Sequence, residues 1–377
     1  LLGLESSEKR MGRHGFEPTG NTPEPTTAPH RCLVFCRNAK PMAELEPLAP
    51  ADAQDMYLTQ RESEVSESTI QAHQYRLSHF IRWCEQESID NLNELTSRRV
   101  FEYRQWRKED GDLNQVTLQT QLSTLRVFIR FCESIDAVTE GLAEKMMIPT
   151  LSDDEGTREG MLEAEQAQAL LEHLGKFEYA STKHALVAVL WHTSCRIGGL
   201  HSLDTDDFDK ENKSLAFNHR PETGTSLKNG VSGERIVALS SEVASVIEDY
   251  IETNRPRVTD EYGRKPLFAT TGGRWHKSNI RQRIYALTRP CYYTNECPHG
   301  RDLDLCDANT YDKSSKCPSS HPPHDIRRGS ITNFLKDDEI PRDAISDRAN
   351  VSADVMERHY DQMTEDERME QRRKFFE

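Results

Sequence analysis

The chain has 377 residues, enough for two or three domains, with 48 Lys+Arg against 63 Asp+Glu and a formal net charge of -15. That balance excludes binding to a polyanion through net charge alone, and no apolar run reaches the length of a membrane-spanning helix. Nine cysteines without a secretory signal point to free thiols or metal ligands rather than disulfides, and so to a cytoplasmic protein without membrane attachment.

Residues 1–43 carry no hydrophobic period, and Pro, Thr, Gly and Asn crowd 17–29. This stretch is expected to be disordered, or a mis-assigned tail with the working start near Met42. Residues 44–147 are expected to form a small helical domain. One helix starts at Ser68-Thr-Ile70 and aligns Ile70, Leu77, Phe80, Ile81 and Cys84. Another aligns Leu118, Leu122, Leu125, Ile129 and Cys132. Their polar faces carry Arg76, Arg82, Arg126 and Arg130. Residues 148–160, with Asp153-Asp-Glu-Gly, read as an acidic linker.

Residues 161–377 form the second domain. Helices are predicted over 163–174, 183–192, 242–253 and 278–287. Alternation over 214–218 and 235–239 predicts a hairpin, with Lys228 in the polar loop between its strands. The fold class is therefore mostly α with a small β-sheet. A Cys-rich insert over 290–321 contains Cys291, Cys297, Cys306 and Cys317. Four thiolates suit tetrahedral zinc, and a long loop poor in apolar residues needs a constraint, so structural zinc is expected, with four free thiols as the alternative.

Two motifs carry chemistry. The apolar run Leu186–Trp191 breaks at His192-Thr-Ser-Cys, and Arg196 follows at once. Further on, His324-Asp-Ile-Arg327 opens a helix marked by Ile326, Ile331, Phe334 and Leu335, with Asp325 expected at its cap. A His and an Arg three apart share a helix face, where both could grip one phosphate. Tyr360 lies one or two helices later.

The order Arg196, Lys228, His324-x-x-Arg327, Tyr360 resembles the tyrosine recombinase (phage integrase) family over roughly residues 44–377. The resemblance implies a helical core-binding domain that clamps DNA, with Arg76, Arg82, Arg126 and Arg130 as contacts, and a catalytic domain behind it. It implies site-specific cleavage and rejoining of double-stranded DNA through a 3′-phosphotyrosyl intermediate. Arg196, Arg327 and His324 would hold the phosphate, Tyr360 would attack, and Lys228 would protonate the leaving oxygen. No catalytic cofactor and a homotetramer on DNA attachment sites are expected. Two positions depart from the family. Gly199 stands where an acidic residue is usual, and Asn350 is the nearest polar residue to the place of a His or Trp. Rival readings are a type IB topoisomerase and a non-catalytic zinc DNA-binding regulator. The acidic balance and the excess of arginine over lysine suit a salt-rich cytoplasm, hence a halophilic source.

Overall fold

The computed structural model describes residues 45–151, 160–337, 339–360 and 364–373. The expectations for 1–43, and for most of the linker, fall outside the described residues. The chain divides into two compact units, one ending at Thr150 and the other starting at Leu151. Among the described residues no helix is long and apolar enough to cross a membrane.

Among its described residues the first unit contains four α-helices: α1 (Pro50–Arg61), α2 (Glu67–Gln86), α3 (Ser97–Asp110) and α4 (Gln115–Ser134). Their starts are written locally. The Thr96 hydroxyl accepts from the Arg99 amide, and the Asn114 side chain accepts from the Thr117 amide. The predicted stripes face inward: Leu77, Phe80, Cys84, Leu118, Leu122, Leu125, Ile129 and Cys132 are all buried. Between them Tyr103 meets the edges of Phe80 and Trp83 at 5.3 and 5.5 Å. Helix α3 is mostly charged, yet Val100 and Tyr103 bury, and Arg107 goes in with them because Gln121 accepts from its Nε at 2.8 Å.

The second unit begins with α5 (Ala164–Phe177), opened by a capping box of Glu163 and Gln166, then α6 (Thr182–Thr193) and the short α7 (Ile197–Ser202). Strands β1 (Phe208–Asp209), β2 (Ser214–Phe217) and β3 (Arg235–Ala238) form an antiparallel sheet in that order, with Leu215 opposite Val237. Then come α8 (Ser241–Asp249), the hairpin of β4 (Ala269–Thr270) and β5 (Gly273–Arg274), α9 (Lys277–Leu287) and α10 (Pro290–Thr294). The chain closes with α11 (Pro323–Lys336), α12 (Arg342–Ala349), α13 (Ala353–His359) and α14 (Glu365–Arg373). The model is mostly α with a small sheet, as the patterning predicts.

Helix α11 separates two apolar clusters. Ile326 belongs to the main core with α5, α6 and the sheet, while Ile331 and Leu335 pack with Ile345, Val351, Met356 and Tyr360. Close approach on one side requires Gly329: a Cβ there would lie 1.9 Å from the Leu162 carbonyl oxygen. The start of α11 differs from expectation. Pro322 is the cap and Pro323 the first helical residue; Asp325 sits in the first turn, 3.3 Å from His321 Nδ1. Proline suits a first turn because its missing N–H would have had no helical partner.

Candidate active site

Helix α6 is buried on nearly every face and stops at Ser194, whose φ of 50° turns the chain back. Arg196 is the extended, half-buried residue in front of α7. Arg327 leaves the second turn of α11 and is 1% exposed. Its Nη1 donates to the carbonyls of Ser194 and Ala349, the latter at 2.8 Å, and its Nε donates to the Tyr360 hydroxyl at 3.2 Å. Its Nη2 is buried without a partner among the described residues.

Tyr360 ends α13 and is 3% exposed. Its carbonyl accepts from the Thr332 hydroxyl at 2.6 Å, and its ring lies 5.3 Å from the Arg327 guanidinium carbon. His324 stands edge-on to that ring at 5.8 Å. Partial burial of the imidazole, then the cations of Arg328 and Arg327, hold its pKa down to about 4. The ring is therefore neutral near pH 7. The structure thus brings Arg327 and His324 each against Tyr360.

The turn after α12 ties this group to Arg196. Three successive carbonyls each accept from a different arginine: Arg348 from Arg235 Nε at 2.8 Å, Ala349 from Arg327, and Asn350 from Arg196 Nη1 at 3.0 Å. These are carbonyls at the C-terminal end of a helix, where the backbone carries partial negative charge. Arg348 fixes the turn by reaching the carbonyls of His192 and Ala238. Among the described residues no carboxylate pairs with Arg196, Arg235 or Arg327. Burial foremost, together with the neighbouring arginines, lowers the pKa of Arg235 to about 10, and burial then Arg327 lowers that of Arg196. Such a group of crowded cations gains free energy from a bound anion, and the unpartnered Arg327 Nη2 is one donor for it.

The acidic residue missing at Gly199 has a steric counterpart. A Cβ at Gly199 would meet the Phe217 ring at 3.2 Å, and Arg235 lies over that ring at 4.2 Å. An aromatic ring and a third arginine thus fill the side on which the resemblance leads one to expect a carboxylate. Lys228 is exposed and lines one small cleft together with Arg196, Asn229, Arg235 and Asn350. The Asn350 carboxamide is turned to the hairpin loop: Nδ2 donates to the Ser232 carbonyl at 2.8 Å, and Oδ1 accepts from Asn229 at 2.6 Å.

The four first-unit arginines expected to contact DNA all have protein partners. Arg76 donates to the Thr124 hydroxyl, Arg126 to the Met146 carbonyl, Arg82 pairs with Asp110, and Arg130 pairs with Glu144 at 2.7 Å. The metal expectation finds no geometric support. Among the described residues no group of three or more His, Cys, Asp or Glu side chains is placed to hold a metal, and Cys291, Cys297, Cys306 and Cys317 are free and half-buried. The insert is held by other means. The buried Arg289 side chain donates to the Ala308 carbonyl and Asn309, Thr288 exchanges hydrogen bonds with the His321 backbone, and Arg283 stacks on Tyr311 at 4.7 Å. Sequence reasoning missed Arg235 and Arg348. Arg235 begins a strand in register with the apolar β2, and that position is the one signal that could have drawn attention to it.

Two arginines, a neutral histidine and a buried tyrosine hydroxyl gathered in one place can bind an anion and present a phenol oxygen beside it. Residues 56–134 match the family model of the phage integrase N-terminal SAM-like domain, and residues 160–296 match that of the phage integrase family. The chain belongs to the phage integrase family and is a tyrosine site-specific recombinase. Similar solved structures include the Tn1549 transposon integrase in complex with a circular intermediate DNA, 16% identical, covering 87% of this chain and 99% of that chain, with a TM-score of 0.62. A lambda integrase dimer bound to a COC′ core site is 12% identical over 85% of this chain and 79% of that chain, with a TM-score of 0.56. The N-terminal domain of a phage integrase/site-specific recombinase from Haloarcula marismortui is 34% identical over 28% of this chain and 99% of that chain, with a TM-score of 0.27. Among curated proteins none matches. The reaction of this class needs no cofactor.

Proposed function

We propose that this recombinase binds double-stranded DNA attachment sites in the cytoplasm and exchanges strands between two duplexes as a homotetramer, with Tyr360 as nucleophile. The observation that carries the reading is the contact of the Tyr360 hydroxyl with Arg327 Nε, beside an Arg327 Nη2 that has no partner among the described residues. A phosphate set there has its oxygens facing Arg327 and Arg196, with His324 at its edge. The Tyr360 oxygen forms a bond to phosphorus, the bond from phosphorus to the 5′ oxygen breaks, and the phenol proton passes to His324 or to water. The departing oxygen takes a proton from Lys228 Nζ. The phosphotyrosyl ester keeps the energy of the broken bond, so a 5′ hydroxyl from a second strand can reverse the step. In this reading Arg76, Arg82, Arg126 and Arg130 contact the DNA backbone by exchanging their present partners for phosphates, which sorts them as positioning rather than base-reading contacts.

Lys228→Ala tests the acid. On an ordinary attachment-site duplex it is expected to slow cleavage by about 10² to 10⁴ fold while binding is kept. On a duplex with a 5′-bridging phosphorothiolate, whose leaving group needs no proton, the rate should return to within a few fold of the unsubstituted enzyme. An unrescued variant removes Lys228 from this role. Size measurement of the protein–DNA complex reads the tetramer directly, since a single protomer turning over one duplex is what the topoisomerase reading demands. Structural zinc on Cys291, Cys297, Cys306 and Cys317 is a reading carried by cysteine count and spacing. It expects about one zinc per chain by elemental analysis of untagged protein, and active protein without zinc ends it.

A further inference from the structure

The hairpin loop that carries Lys228 is held within itself by short-range bonds, from the Gly230 amide to the Leu227 carbonyl at 3.1 Å and from the Glu234 amide to the Val231 carbonyl at 3.0 Å. The Leu227 amide donates to His219 Nδ1 at 3.0 Å, and beyond it Lys228 and Asn229 are exposed and Val231 is 71% exposed. Among the described residues, two hydrogen bonds fasten this tip to the rest of the unit beyond the hairpin, and both involve one side chain, Asn350. That residue lies in the left-handed region at φ 49°, which Asn adopts more readily than other non-glycine residues. Its own carbonyl accepts from Arg196 Nη1. One residue therefore touches the Lys228 loop with its side chain and the first arginine with its backbone. It also sits in the turn between the two helices that lead to Tyr360. Its carboxamide has its oxygen on Asn229 and a hydrogen on Ser232, which leaves it engaged with protein on both ends.

We propose that Asn350 is a positioning residue that latches the 229–232 loop, and with it Lys228, to the turn that holds Arg196 and Arg327. The proposal rests on Lys228 being the acid. Nucleophile, phosphate-binding cations and acid arrive on three separate stretches of chain, and the latch sets the acid at a fixed place relative to the other two. Without it Lys228 still reaches the phosphate region on its long stem, but its ammonium spends little time in line with the departing oxygen.

Two variants break the latch from opposite sides. Asn350→Gly keeps the left-handed backbone, because glycine adopts it freely, and removes only the carboxamide. Asn229→Ala removes the partner on the exposed loop. Each is expected to slow cleavage of the ordinary duplex by about a hundredfold, the cost of displacing a reacting group by about 1 Å. Each should recover to within a few fold of the unsubstituted enzyme on the 5′-phosphorothiolate duplex. Adding Asn350→Gly to Lys228→Ala should cost little more than Lys228→Ala alone. If Lys228→Ala is rescued and the two latch variants stay slow on both duplexes, the latch is overturned and the acid stands. If Lys228→Ala is itself unrescued, acid and latch fall together. Unchanged cleavage in Asn229→Ala and Asn350→Gly also overturns the latch. Melting curves of both variants, expected to match the parent within a few degrees, separate these outcomes from loss of fold.

Discussion

Tyr360→Phe is expected to abolish the covalent protein–DNA adduct while leaving affinity for an attachment-site duplex within about twofold. The ring of Tyr360 packs with Ile331, Leu335, Val351 and Met356, and all of that apolar contact survives in phenylalanine. The backbone bond from Thr332 to the Tyr360 carbonyl does not involve the side chain and also survives. What goes is the hydroxyl that accepts from Arg327 Nε, a single hydrogen bond of about 1 kcal/mol net. The fold therefore tolerates the change, and the loss falls on chemistry alone, since phenylalanine has no oxygen to join to phosphorus. Arg327 Nε is freed by the same change and adds a donor to the unpartnered Nη2, so phosphate binding has no reason to weaken. Denaturing electrophoresis on a nicked duplex that traps the intermediate reads the adduct, and a separate mobility shift reads binding. Any adduct in the phenylalanine variant places the nucleophile on another residue.

The parts of this molecule that a local pattern writes were legible in the sequence. The apolar stripes over 70–84 and 118–132 gave two helices, and the alternation at 214–218 and 235–239 gave the paired strands with Lys228 between them. The helices α1 and α3 escaped because their apolar positions are few: α3 buries only Val100, Tyr103 and Arg107 along a run of charges. The site was legible as an order of residue types, and the structure brings Arg327, His324 and Tyr360 together. The reach of a main-chain carbonyl was not. Nothing in Arg348-Ala-Asn350 announces that its three carbonyls will each hold an arginine, because carbonyls are the same in every residue. For the same reason Gly199 read as a defect, when the space beside it is taken by Phe217 and Arg235. In the cysteine insert, counting thiols suggested a metal, while the contacts from Arg289, Thr288 and Tyr311 that anchor the segment are ones no cysteine spacing reveals.

Compensation by carbonyls explains why the site can gather cations without acidic partners. A carboxylate beside Arg196 or Arg327 would satisfy the guanidinium and compete with the phosphate for it. A carbonyl orients the same group, carries only a partial charge, and leaves the full positive charge to act on the substrate. The cost is crowding among Arg196, Arg235 and Arg327, and the rest of the unit must hold the chain against it. A second arginine cluster, away from these three, is built on the opposite principle and supplies part of that hold.

Asp204→Ala is expected to destabilise the second unit by about 3–5 kcal/mol, the usual cost of removing one partner from a buried ion pair. Asp204 is 5% exposed and stands at the junction of α7 with the sheet. Arg274 and Arg220 both reach it, Arg220 at 3.3 Å, and Arg264 lies 3.5 Å away. Asp260 takes Arg274 at 2.8 Å and Arg264 at 3.4 Å, and Asp207 takes Arg220 at 2.5 Å. Three arginines and three aspartates thus close a neutral network that ties residues 204–207 to 220 and to 260–274. Alanine at 204 leaves the half-satisfied arginines buried, and it is the desolvated surplus charge, more than the lost attraction, that destabilises. The expected fall in melting temperature is roughly 6–20 °C for a unit of this size. Because the network is buried, salt screens it little, so the deficit should persist between 0.1 and about 1 M salt, where the Debye length drops to about 3 Å. Glu144→Ala, which removes an exposed partner of Arg130, serves as the contrast and should leave the melting curve nearly unchanged. A loss below 1 kcal/mol for Asp204→Ala, or one that vanishes in molar salt, would show that water reaches these arginines and that they do not brace the unit.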